Sequence, residues 1–88
     1  MKKNSSKKIE EMILASLRKI LNLKNLDDDK IKKIKQTNVK IWDSLNHVNI
    51  IIDLEKKFKI RFADNENLYL DSYKKIFECI KRKLKAKN

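Results

Sequence analysis

At 88 residues the chain has room for one domain around one modest core. It contains no glycine and no proline, which disfavours hairpin-rich β folds and excludes glycine-rich phosphate loops and dinucleotide-binding fingerprints. The formal net charge is +11, from 23 basic and 12 acidic residues, and the single cysteine, Cys79, leaves no intrachain disulfide.

Residues 1–6 are polar and read as a flexible basic N-terminus. Ser5 or Ser6 can cap a first helix running to about Leu21 or Leu23, because Ile9, Ile13, Leu17, Ile20 and Leu21 recur at helical spacing. Glu10 and Glu11 early in that stretch, with Arg18 and Lys19 late, suit the helix dipole. Met12 to Leu17 is too short and polar-flanked for a secretory core, and the longest apolar run falls short of a membrane span. A cytoplasmic location is the expectation.

Asn22 to Lys40 reads as a long connection in which Asn25 to Asp29 is a loop or a new helix start. Its Asp27-Asp28-Asp29 run lacks the alternating ligands, central glycine and distal glutamate of a calcium loop, so a solvated acidic turn that caps the following residues is expected. Ile31 and Ile34 can anchor a short turn there.

The most informative stretch is Ile41-Trp42-Asp43-Ser44-Leu45-Asn46-His47, continuing through Val48 to Phe58. Asp43 or Ser44 can cap a helix, and apolar residues follow at Leu45, Val48, Ile51, Ile52, Leu54 and Phe58, enough for one wide face and part of a second. A hydroxyl at such a helix start is more often a plain cap than a chemical site.

Trp42-Asp43-Ser44-Leu45, then His47, then Leu54-Glu55 and Phe58, resembles the phosphopantetheine attachment site of acyl carrier proteins. The likeness extends more loosely over Lys7 to Leu84. It implies a small all-α four-helix bundle, with three main helices, one short helix and a long first loop. It implies that Ser44, flanked by Asp43 and Leu45, carries 4′-phosphopantetheine drawn from coenzyme A by a phosphopantetheinyl transferase. The chain would then be a monomeric carrier that holds acyl or aminoacyl thioesters for partner enzymes and does no catalysis itself. The helix after the serine is the partner surface in this family, which points to Leu45, Asn49, Ile52 and Lys56. Of the apolar residues there, Val48, between Leu45 and Ile52 at spacings of three and four, is expected in the core. His47 is implied to be a partly buried residue that holds the loop before the helix.

Ser44 can also be cast as a hydrolytic nucleophile with His47 as its base. No Gly-x-Ser-x-Gly elbow or oxyanion hole is evident, and the chain is small for a substrate pocket.

Beyond Phe58, Ile60 and Phe62 alternate with Lys59 and Arg61 in a segment too short to read as a strand, and the resemblance makes it a connector whose apolar side chains seal the bundle. Ala63 to Leu70 would hold a short helix or turn. Asp71 or Ser72 then caps a last helix with Tyr73, Ile76, Phe77, Ile80 and Leu84 on one face and Cys79 packed within it. Residues 7–84 form the expected carrier domain and 85–88 a flexible C-terminus.

Lys2, Lys3, Lys7 and Lys8 at one end, and Lys81, Arg82, Lys83, Lys85 and Lys87 at the other, carry most of the charge excess. A small basic helical module gripping nucleic-acid phosphates is therefore the alternative reading. No aromatic residues interleave with the terminal lysines as a stacking platform requires. Fatty-acid carriers present several carboxylates to basic partner patches, whereas the matching helix here has only Asp53 and Glu55 beside Asn46, Asn49, Lys56 and Lys57. A specialised biosynthetic pathway is the expectation that follows.

Overall fold

The computed structural model describes residues 5–87, with side chains from Ser6 to Ala86. The described residues are helical and contain no strand: α1 Ser5–Ile20, α2 Asp28–Ile31, a 3₁₀ turn at Gln36–Asn38, α3 Ser44–Phe58, α4 Asp64–Tyr69 and α5 Tyr73–Lys87. The radius of gyration, 12.4 Å, is that of a single compact body of this length. One core follows from it.

α1 is the helix against which the others assemble, touching α2, α3 and α5. Ile9, Ile13, Leu17 and Leu21 bury the anticipated stripe, and Leu14 widens it. Ser5 and Ser6 are both helical residues of α1, so neither is its N-cap, a position outside the described residues. It stops at Ile20, earlier than the periodicity suggested. Asn22 turns to φ 56°, and the Leu23 N–H reaches back to the Arg18 carbonyl at 3.0 Å. Asparagine tolerates this left-handed geometry better than most side-chain-bearing residues, so the chain ends a helix here without glycine.

Of the two readings of Asn25 to Asp29, a loop or a new helix start, the structure has the helix start, which opens α2. Asp27 caps α2 by accepting the Lys30 N–H at 3.0 Å, which is the role anticipated for this acidic turn. Ile31 is fully buried beneath it. Arg18 fastens the turn from α1 by donating to the Leu26 carbonyl at 2.6 Å and pairing with Asp28. Further on, the Gln36 N–H bonds the Asp71 carbonyl at 2.8 Å, tying the connection to the start of α5.

α3 buries His47, Ile50, Ile51, Leu54 and Phe58, a stripe advancing three or four residues at a time. Lys59 closes the helix in the left-handed region at φ 56°, a strained position for a lysine. The following Ile60 and Phe62 are buried in a segment without regular secondary structure, as expected of a sealing connector. Glu55 pins it by accepting the Phe62 N–H at 2.9 Å.

α4 is the short helix anticipated between Ala63 and Leu70. Its Glu66 side chain accepts the Ala63 N–H at 2.7 Å and pairs with Lys83 at 2.9 Å. The Ala63 hydrogen bond, followed by the Lys83 charge, holds the Glu66 carboxyl below its usual range. α5 buries Tyr73, Ile76 and Ile80, with Phe77 and Leu84 packed at the margin. Cys79 lies in the core as anticipated, and burial, helped by the Glu66 charge, pushes its thiol up. Ser72, rather than Asp71, caps α5 through the Lys75 N–H at 3.3 Å, while Asp71 pairs with Lys75. The helix continues to Lys87, so Lys85 to Lys87 belong to it and not to a separate tail. Met1 to Asn4 of the expected N-terminal segment, and Asn88, lie outside the described residues.

A polar pin joins α1 to α3. The fully buried Ser16 donates its hydroxyl to Asp53 at 2.5 Å and receives the Lys57 ammonium at 2.9 Å. Lys57 and Lys19 also pair with Asp53 at 3.4 and 3.5 Å. Burial raises the Asp53 carboxyl, but the Ser16 hydrogen bond and the two ammonium charges outweigh it, and the net shift is downward. An acid held below its unfolded value binds protons more tightly when unfolded, so its contribution stands at neutral pH and fades as pH falls through the folded value. Asp53→Asn is expected to lower unfolding stability by about 1–2 kcal/mol near pH 7. In urea denaturation the difference from the parent chain should shrink steadily on acidification. A gap that stays constant down to strongly acidic pH would contradict the role given to this carboxylate.

Candidate functional site

Ser44 is the first helical residue of α3 and is exposed. Asp43 is the cap. Its backbone is extended, its carboxylate accepts the Asn46 N–H at 2.9 Å, and its carbonyl accepts the His47 N–H at 2.8 Å. The Ser44 hydroxyl is thus released from capping and makes no hydrogen bond among the described residues. The Ser44 and Leu45 N–H groups belong to the first helical turn, where no preceding carbonyl can take them. An anion attached at Ser44 gains roughly 0.3–1 kcal/mol from that helix end.

The loop before Ser44 is held from inside. Trp42 is buried, and its indole N–H donates to Nδ1 of His47 at 3.0 Å. Nδ1 therefore accepts, which fixes the proton of a neutral ring on Nε2. From there it is donated to the Asn67 carbonyl in α4 at 2.6 Å. The two rings stack with centroids 6.1 Å apart. Two shorter ties complete the clamp. The Trp42 N–H bonds the Val39 carbonyl at 2.9 Å, and the Asn46 amide donates to the Ile41 carbonyl at 2.7 Å.

This network decides what His47 can do. Both ring nitrogens are engaged with Trp42 and Asn67, so neither is available to draw a proton from Ser44 in this arrangement. His47 holds the loop, the role the sequence pattern implied for it. Ser72, in the superficially similar Asp71-Ser72-Tyr73, is buried and used as a cap.

Leu45, Val48 and Ile52 lie on the outer face of α3, with 70, 52 and 45% of their surface exposed. Asn49 and Lys56 are exposed too. The expected placements of Leu45, Asn49, Ile52 and Lys56 therefore agree with the structure, and that of Val48 does not. Val48 was assigned to the core because it stands three residues after Leu45 and four before Ile52. That same spacing puts it in one line with them, and the line facing the core is the other one, from His47 to Phe58.

Two contributors were missed. Asn67 acts through its backbone carbonyl, which leaves no mark in sequence, while its side-chain oxygen is buried without a partner. Ser16 sits on the apolar face of α1, where a lone serine pointed toward a polar partner, although nothing nearby identified Asp53, 37 residues away.

The chain was compared with protein-family models, curated proteins and solved structures, and nothing matches.

Trp42→Phe removes the donor and leaves a buried imidazole nitrogen unpaired, so a loss of about 1–3 kcal/mol is expected. Ser44→Ala, at an exposed and unbonded hydroxyl, should stay within about 0.5 kcal/mol of the parent chain. Chemical denaturation of both variants checks the contrast. Equal losses would mean that the loop is held by something other than the Trp42–His47 bond.

Proposed function

We propose that this chain is a stand-alone carrier protein of the acyl carrier type, holding an acyl or aminoacyl thioester on a 4′-phosphopantetheine arm attached at Ser44. The observation that supports it most is the division of labour at the head of α3. Asp43 supplies the cap, Trp42 and His47 fix the loop, and the hydroxyl between them is left exposed and uncommitted. A serine serving only as a cap would be turned to a backbone N–H, as Ser72 is. In this reading α1, α3, α4 and α5 are the four helices of a carrier bundle, and α2 is an addition within its long first loop.

The chemistry belongs to other proteins. A phosphopantetheinyl transferase forms the phosphodiester, with the Ser44 oxygen attacking the pyrophosphate of coenzyme A and 3′,5′-adenosine bisphosphate leaving. Acyl- or aminoacyl-transferring enzymes then load and unload the terminal thiol. The tether raises the local concentration of its cargo at each partner. The engagement of both His47 nitrogens supports a carrier without catalysis of its own. Among the described residues no helix is long and apolar enough to cross a membrane, and the proposed setting is a cytoplasmic, specialised biosynthetic pathway, with the carrier as a monomer.

One observation favours the alternative of a nucleic-acid-binding module. Lys81, Arg82, Lys83 and Lys85 stand on the ordered helix α5, and Lys83 lines an open cleft with Lys59 and Arg61. Phosphate contacts of that kind give an affinity that falls steeply with salt. Sequence-dependent DNA or RNA binding that withstands physiological salt would favour the alternative.

The deciding measurement is intact mass after incubation with coenzyme A, magnesium and a broad-specificity phosphopantetheinyl transferase. One phosphopantetheine should be added to the parent chain and none to Ser44→Ala. A Ser72→Ala variant should load like the parent. Failure to load, or loading that persists in Ser44→Ala, would refute the carrier reading.

A further inference from the structure

Every acidic side chain of α3 is used within the fold. Asp53 is taken up by Ser16, Lys57 and Lys19, and Glu55 accepts the Phe62 N–H. The outer face of the helix is left with an apolar line of Leu45, Val48 and Ile52, continued at its far end by Lys56. In the loop that leads into the helix, Lys40 and Ile41 are exposed. Neither the Lys40 nor the Lys56 ammonium has an ion pair or hydrogen bond among the described residues. Between Lys40 and Ile52 the sequence has one acid, Asp43, whose carboxylate is turned to the Asn46 N–H. α4, tied to α3 by the His47–Asn67 hydrogen bond, carries the exposed Leu68 and, one turn earlier, the exposed Asp64.

We propose that this face docks an enzyme surface consisting of an apolar socket rimmed by carboxylates. Leu45, Val48 and Ile52 supply the buried contact, and Lys40 and Lys56 set the sign of the rim. A second copy of the chain is a poor occupant, because each copy carries a net charge of +11 and brings the same lysines to the contact. A partner with a basic rim meets repulsion at both ends of the apolar line, with no outward carboxylate of α3 to offset it. Charge of this kind acts on encounter rate and partner choice more than on final affinity, so its signature is discrimination that weakens with salt. The inference deepens the carrier reading, since the docked enzyme is the one that would act on cargo at Ser44. Docking itself does not require the arm.

The test separates the two. The probe is a transacylase serving an acidic fatty-acid carrier, prepared in two forms: with its basic docking patch intact, and with the arginines and lysines of that patch replaced by glutamate. Equilibrium binding is measured with the unloaded chain, so it does not depend on modification of Ser44. The glutamate form should bind about tenfold more tightly at low salt, with the gap closing as ionic strength rises. The double variant K40E/K56E, at two exposed and unpaired positions, should reverse the preference while retaining its helical circular dichroism. Val48→Asp should weaken binding of the glutamate form. Equal binding of both forms, preference for the basic form, no binding of the glutamate form, or a preference unchanged in K40E/K56E would each overturn the proposal. Loading of Ser44, read separately by mass, bears on the carrier reading alone.

Discussion

The buried hydrogen-bond chain from the Trp42 indole through His47 to the Asn67 carbonyl is the constraint on which the rest of the molecule turns. An indole N–H removed from water must find an acceptor, and only Nδ1 of a neutral imidazole is offered. Meeting that one requirement fixes the loop before α3, the tautomer of His47 and the position of α4. Three segments far apart in function (a loop, a long helix and a short one) become one rigid corner. Ser44 sits on the outside of that corner, positioned by contacts in which it takes no part.

Much of this was legible in the chain. α1 could be read from its apolar stripe, the α2 cap from the acidic run at Asp27, and the sealing role of Ile60 and Phe62 from the resemblance. α3 resisted because it carries two apolar lines. One runs from His47 through Ile50, Ile51 and Leu54 to Phe58, and the other from Leu45 through Val48 to Ile52. Both satisfy helical spacing, so periodicity alone cannot say which is inward. Bulk decides it in the structure, since the line ending in Phe58 continues into buried Ile60 and Phe62. Val48 was misplaced for that reason.

Other features lay beyond any local pattern. Ser16 and Asp53 meet across two helices, and the Asn67 carbonyl that receives the His47 proton could have come from any residue. α1 ends earlier than its periodicity suggests because Asn22 adopts a backbone state usually left to glycine, while α3 ends at Phe58 as expected, with Lys59 in the same state. Polar pairing also removes Asp53 and Glu55 from the outer surface of α3, so the number of acids in a helix overstates the negative charge it shows a partner.

The two left-handed helix ends have a consequence for the chain before it folds. A glycine at Lys59 would relieve native strain, but it would also widen the range of conformations open to the denatured ensemble and so increase the entropy lost on folding. With a side chain at every position, this protein keeps its disordered state comparatively stiff and accepts strain at two points of the ordered one. The two effects oppose each other and are of similar size, about 1 kcal/mol each. Stopping a helix with lysine is thus close to neutral in net stability, and at α3 the strained residue, Lys59, lies at the end of the helix opposite Ser44.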